Sequence, residues 1–306
     1  MTRKSKNSTR LGTRSLHLMI LPSLILLIIY RYLPMIGIVI AFQDFNIGLG
    51  VKAFWQSEWV GFAHFKRLFS SPDFTRALFN TLNIAIGKII AMFFVPLTFA
   101  LLINEVRNRP VKRMVQTIVY MPHFLSWVII AGILKEVLAP DGVVNAIAAT
   151  LFGSEPKFWL GDKNLFPFMM VVTETIKEFG FGTIIYLAAI TGIDPTLYEA
   201  AIVDGASRFK QTIHVTIPSI MNIIVLSMVL SLGNILNAGF DQIFNLYSVP
   251  VLETGDIIDT LVYRISMQSG QYDFGTAVGL FKSVISMILI SVSYWMAYKF
   301  ADYEIF

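Results

Sequence analysis

The chain has 306 residues, 55% of them hydrophobic and only 14% charged, with a mean hydropathy of +0.66. Soluble domains carry about 25% charged residues, so this composition belongs to a chain dissolved in lipid and excludes disordered, collagen-like and disulfide-stapled classes. The absence of cysteine removes thiol chemistry, and the formal charge of +4 includes a basic leader (Arg3, Lys4, Lys6, Arg10 and Arg14) that reads as a membrane-topology signal rather than a nucleic-acid surface.

Apolar runs of spanning length lie at 17–42, 82–104, 115–138, 166–192, 219–240 and 275–299, which predicts six transmembrane helices. The first run begins like a signal peptide, with Leu18–Ile29 behind the basic leader. No small-residue cleavage site follows it, and Leu33 and Pro34 lead into a second apolar stretch, so an uncleaved span is expected. The next connection, 43–80, carries Trp55, Trp59, Phe62, Phe65, Phe69, Phe74 and Phe79 and reads as an interfacial helix.

Basic residues alternate in density from one connection to the next. Arg107, Arg109, Lys112 and Arg113 follow span two, Arg208 and Lys210 follow span four, and Lys299 closes the chain, all on the side of the leader. The opposite side has Lys52, Lys66, Arg67 and Arg76, then Lys157 and Lys163, then Arg264. The bias places both termini in the cytoplasm. With no repeat, linker or low-complexity tract, the chain reads as a cytoplasmic tail (1–16), one six-helix membrane domain (17–300) and a short cytoplasmic tail (301–306).

Catalytic motifs are missing. Gly87 and Lys88 lack the first glycine and the Ser/Thr of a phosphate-binding loop, and His17, His64, His123 and His214 have no zinc spacing. The informative segment is instead 194–218. Asp194 and Pro195 form an N-cap and first helical position, Leu197–Asp204 continue as helix, Gly205 stops it, a second short helix is expected over 207–216, and Pro218 marks the start of span five. Helix, glycine and helix on the inner face make a stiff handle able to transmit a push.

The same residues carry a family resemblance. Glu199, Ala200, Ala201, Gly205, Val215, Ile217 and Pro218 fit the E-A-A-x3-G-x9-I-x-L-P pattern of permease subunits of ATP-binding-cassette importers, with Val215 for Ile and Ile217 for Leu. The string YEAAIVDGAS (198–207), with MPHFLSW (121–127), GNILNAGFDQIF (233–244) and GLFKS (279–283), resembles the carbohydrate branch related to maltose-type permeases, and among these the importers of complex oligosaccharides. The resemblance implies an all-α integral membrane fold, the type I importer (MetI-like) transmembrane domain, with Leu197–Gly205 as the coupling helix. Glu199 would face a basic residue of a separate ATPase subunit, Ala200 and Ala201 would allow close approach, Gly205 would permit the bend, and Asp204 would be a further coupling residue. It further implies a second homologous permease, two ATPase subunits that bind ATP and Mg, an extracytoplasmic solute-binding protein, and no cofactor on this chain.

For the substrate path, Ser227, Ser231, Asn234, Asn237 and Asp241 fall within about a third of the circumference of an unbroken helix. Hydroxyls and amides suit a neutral polyhydroxyl cargo, although helix-to-helix hydrogen bonding explains such residues equally simply. Asp256, Asp259 and Tyr263 follow in the last outer loop at helical spacing, with Tyr263 a further candidate for sugar contact. In span four, Glu174 is expected to pair locally with Lys177 and to neighbour Glu178. Read as a proton relay, these three charges would describe a secondary transporter, the alternative to an ATP-driven importer. A membrane scaffold whose handle only recruits a soluble protein is the other.

Overall fold

A computed structural model describes residues 6–301. Of the expected cytoplasmic tails, 1–5 and 302–306 lie outside the described residues. The chain packs as two compact units, one holding the residues up to Leu68 together with Ile265–Leu280, the other Phe69–Arg264 together with the chain from Phe281 onward.

In the first unit, α1 (Lys6–Leu27) continues through a π turn (Ile28–Tyr32) into a 3-10 segment (Leu33–Phe42) with Pro34 in its first turn. The apolar stretch His17–Phe42 is long enough to cross a bilayer, and only 6% of its most apolar window is buried. The connection behind it is not one interfacial helix. Gln43–Asp44 pairs antiparallel with Glu58–Trp59, short helical turns lie between them, and Phe42 gathers Trp59, Phe62 and Phe65 at ring distances of 5.4–5.8 Å.

The second unit begins near α2 (Pro72–Glu105), whose N-cap Ser71 accepts the Phe74 amide. Its 34 residues extend about 50 Å at 1.5 Å each, well beyond a 30 Å hydrocarbon layer. Next come α3 (Arg109–Tyr120), capped by Asn108, and α4 (Trp127–Val137), capped by Ser126. Then follow α5 (Phe166–Thr191), α6 (Pro195–Val203), the helical stretch Arg208–Ser219, α7 (Met221–Gly233), α8 (Phe240–Leu246) and α9 (Tyr272–Ala301). Among the described residues three helices are long and apolar enough to span alone (His17–Phe42, Pro72–Glu105 and Tyr272–Met296), and three bent helix pairs bring the number to six.

Two of those bends correct the sequence reading. The straight span expected over 115–138 is broken by 103° between Phe124 and Trp127, because Pro122 sits in a 3-10 turn and Ser126 starts a new helix by accepting the Ile129 amide. Span five does not start at Pro218, which lies inside helix; the chain turns by 62° at Ile220.

Helices α2 and α5 pack along most of their length. One core cluster joins Ile84, Ala85, Phe166 and Met170, and another joins Ala100, Ile103, Tyr186, Leu187, Ile190, Ile220 and Ile224. Lipid supplies no hydrophobic drive between helices, so small residues at the contacts let backbones approach. Gly180 is one such point, since a Cβ there would run into the backbone carbonyl of Val119 on α3.

Candidate coupling handle and transport cavity

The handle forms as its local sequence dictates. Asp194 Oδ1 accepts the Thr196 amide at 2.9 Å, Pro195 occupies the first turn, and α6 ends at Gly205, whose φ of +72° is left-handed. The amide of Ala206 then reaches back to the Ala201 carbonyl at 2.9 Å, the wrap that closes a helix C-terminus. The amide contact, which favours the charged carboxylate, holds the Asp194 pKa below the usual range.

Helix α6 buries no residue. Leu197, Glu199, Ala200, Ile202, Val203, Asp204 and Gly205 are all exposed and Ala201 is half-buried. Its attachment is nevertheless firm. The Tyr198 hydroxyl is 2.9 Å from Thr216 Oγ1, and Gln211 Nε2 donates to the Ala206 carbonyl at 2.9 Å, tying α6 to the following helix. Val215 and Ile217 are half-buried, Ile217 against the Ile220 core, and Pro218 is exposed.

Helix α5 carries the chain into α6, and the stretch after α6 leads to α7; both border a cavity of about 360 Å³. Its wall includes Lys88 and Met92 of α2, Glu174 of α5, Ser231 of α7, and Asn234 and Asn237 just beyond. Ser227 lines an adjoining space of about 130 Å³ that shares Ser231. The unbroken helix assumed for this stripe ends at Gly233, and residues 234–239 are turn and coil. Asn234 and Asn237 therefore reach the cavity from an irregular segment, while Asp241 is exposed in the first turn of α8 and does not line it.

Lys88 is the residue that sequence reasoning left unplaced. Its ammonium is buried against Glu174 Oε2 (3.2 Å), the Ala238 carbonyl (2.6 Å) and Gln242 Oε1. Gln242 in turn donates to the Met170 carbonyl at 2.8 Å and Thr173 Oγ1 at 2.7 Å. The local Glu174–Lys177 pair expected from spacing is absent, because the acid turns to Lys88, on a different helix. Lys177 instead pairs with Glu178 and donates to the His123 carbonyl at 3.2 Å.

The last outer loop also departs from expectation. Asp256 is fully buried in a two-point ion pair with Arg264 (2.6 and 3.0 Å), which raises the arginine pKa further, and so is closed to a ligand. Asp259 bonds Lys282, and Tyr263 packs on Phe240 and Phe244 at ring distances of 5.8 and 4.9 Å, away from the cavity wall.

Residues 83–302, from within α2 to just past α9, match the family described as the binding-protein-dependent transport system inner membrane component. The chain belongs to this family. It is a membrane protein and a transport component. It is 43% identical over 292 residues to Protein LplB of Bacillus subtilis, covering 95% of this chain and 91% of that one. It is 42% identical over 291 residues to the polygalacturonan/rhamnogalacturonan transport system permease protein YteP of the same organism, covering 95% and 90%. A solved bacterial ABC transporter involved in the import of the acidic polysaccharide alginate contains a chain superposing with a TM-score of 0.87 at 37% identity, over 98% of this permease and 99% of that chain. A second structure of the alginate transporter, in complex with an alginate pentasaccharide-bound periplasmic protein, gives a TM-score of 0.86.

Proposed function

We propose that this permease is the membrane-spanning subunit of an ATP-driven importer that moves an oligosaccharide across the cytoplasmic membrane by alternating access. Leu197, Glu199, Ala200, Ala201, Asp204 and Gly205 form the docking face for a separate ATPase subunit, with Val215, Ile217 and Pro218 carrying the motion toward α7. A second homologous permease, two ATPase subunits that hold ATP and Mg, and an extracytoplasmic binding protein complete the assembly. Both termini face the cytoplasm.

The observation that carries this reading is the mechanical continuity from handle to cavity. A helix with no buried residue of its own, tied down by Tyr198–Thr216 and Gln211–Ala206, links two arms that both border a polar cavity. Displacing the handle therefore reshapes the cavity. The cavity's two charged residues, Lys88 and Glu174, neutralise one another, and Ser231, Asn234 and Asn237 can exchange hydrogen bonds with sugar hydroxyls.

A proton relay is disfavoured by the geometry of the charges in α5. Glu174 is held by Lys88, while Lys177 and Glu178 belong to a separate group with His123. Reconstitution with candidate partners tests the proposal, with glycan-loaded binding protein expected to stimulate ATP hydrolysis and uptake. Uptake that persists without ATP and collapses with the proton gradient would replace it with the secondary-transporter reading, and partner binding without uptake with the scaffold.

A further inference from the structure

An ammonium group has three protons to donate, and Lys88 spends all three on protein: on Glu174 Oε2, the Ala238 carbonyl and Gln242 Oε1. The last two acceptors belong to one short stretch, the irregular backbone after α7 and the first turn of α8. Besides Lys88, that stretch is held to α5 by Gln242, which donates to the Met170 carbonyl and Thr173 Oγ1, and by Ala238 and Ile243 in the core. Between Gly233 and Gly239 its amide bonds are turn-like, Ile235 to Leu232 O and Asn237 to Asn234 O, before Ile243 to Gly239 O opens α8. Yet Leu236, Ala238 and Gln242 are buried while Asn234 and Asn237, between and beside them, are exposed toward the cavity.

Gly239 shows how close the approach is. It has φ of +92°, and a Cβ there would lie 2.9 Å from Lys88 Nζ. Only glycine lets the ammonium reach the Ala238 carbonyl from this side. Glu174, by contrast, gives one oxygen to Lys88 and leaves the other without a protein partner among the described residues.

We infer that Lys88 is a positioning residue: it fastens the break in span five to α2 and α5, thereby fixing where Asn234 and Asn237 stand, while Glu174 and the two asparagines meet the sugar. The inference rests on the transport reading for its sugar, but the fastening itself does not. A lysine that served only to neutralise Glu174 would become dispensable once that acid is made neutral; a fastener would not, because the contacts to Ala238 and Gln242 would still be lost.

The test compares Lys88→Met/Glu174→Gln with Glu174→Gln alone, and adds Lys88→Gln/Glu174→Gln, which shortens the side chain but keeps it polar. The assembled transporter is placed in lipid nanodiscs for amide hydrogen exchange and in proteoliposomes for glycan uptake. Relative to Glu174→Gln, the methionine variant is expected to exchange the amides of Ile235, Asn237 and Ile243 at least tenfold faster, with α2 and α5 amides unchanged, and to lose at least tenfold in maximal uptake per assembled complex. Lys88→Gln/Glu174→Gln is expected to match it, measured against Glu174→Gln, and decides the matter if the methionine variant does not assemble. Exchange that stays at the reference rate overturns the inference, as does faster exchange with undiminished uptake. A wild-type complex that imports no glycan would instead overturn the transport reading, leaving the exchange comparison to judge the fastening.

Discussion

His123 Nδ1 lies 2.6 Å from Glu178 Oε2, and the imidazole is stacked on Phe181 with ring centroids 3.9 Å apart. The corner between α3 and α4 is thereby bolted to α5, where Lys177 adds a bond to the His123 carbonyl. A double-mutant cycle on His123→Ala and Glu178→Ala is expected to give a coupling of about 1–2 kcal/mol, the scale of a polar contact between membrane helices. Additive losses of thermal stability in detergent would show that the corner is held by packing alone.

Two glycines close together on α5 should respond differently to the same methyl group. Gly180→Ala drives a Cβ into the Val119 carbonyl, and overpacking of this kind costs about 1–3 kcal/mol. Gly182→Ala meets only side-chain carbons of Pro96 and Met92 at 3.3–3.4 Å and is expected to cost less than half as much. Melting temperatures of the two variants, measured side by side, check the order.

At Gly205 the obstacle is backbone conformation rather than space, since nothing lies within 4 Å of where a Cβ would stand. Gly205→Val should cost about 1–2 kcal/mol locally, leave the protein inserted and abolish ATP-driven uptake. Membrane abundance and uptake, assayed together, separate the two effects.

The cap of α6 gives a pH dependence with a defined sign. The Asp194 pKa is lowered mainly by the Thr196 amide, so the carboxylate's stabilising contribution is present above the unfolded value of about 3.9 and is lost as pH falls through the depressed folded value. Exchange of the Thr196 amide should accelerate in Asp194→Ala at neutral pH and stay near wild type in Asp194→Asn, which retains an acceptor.

Asn145, in the helix Val143–Phe152 of the connection between α4 and α5, is the hub of that connection. Its Oδ1 accepts from the Lys157 amide and Trp159 Nε1, both at 3.0 Å, and its Nδ2 donates to the carbonyls of Ala139 (2.7 Å) and Lys157 (2.8 Å). Asn145→Ala strands several partly buried partners and is expected to cost about 1–3 kcal/mol, with a change in Trp159 fluorescence as the local report.

What could be read from sequence was local. Asp194, Pro195 and Gly205 announce a helix start and stop within a few residues, and the structure places both where those residues put them. The span lengths were equally legible, being a matter of composition. The break in span three and the end of α7 are not, although Pro122 with Ser126 and Gly233 with Gly239 signal them; a hydropathy window averages over such punctuation, which favours a straight span three and a polar stripe running past the end of its helix. Long-range pairing was hidden altogether. Spacing favours Lys177 as the partner of Glu174, but the residue that takes it, Lys88, is 86 positions away and holds a carbonyl 150 positions away. Asp256, read from sequence only as a loop acid at helical spacing with Asp259 and Tyr263, is likewise sealed beneath Arg264, which nothing in the sequence reveals.

Helix α6 buries no residue in its own chain's core, so apart from Tyr198, which ties it to Thr216, folding constrains its nine residues little. Under the proposed docking, the identities of Leu197, Glu199, Ala200 and Ala201 are settled by the shape of another polypeptide. Transplanting 195–203 between paralogous subunits should re-address a permease to a different motor while its own melting behaviour stays the same.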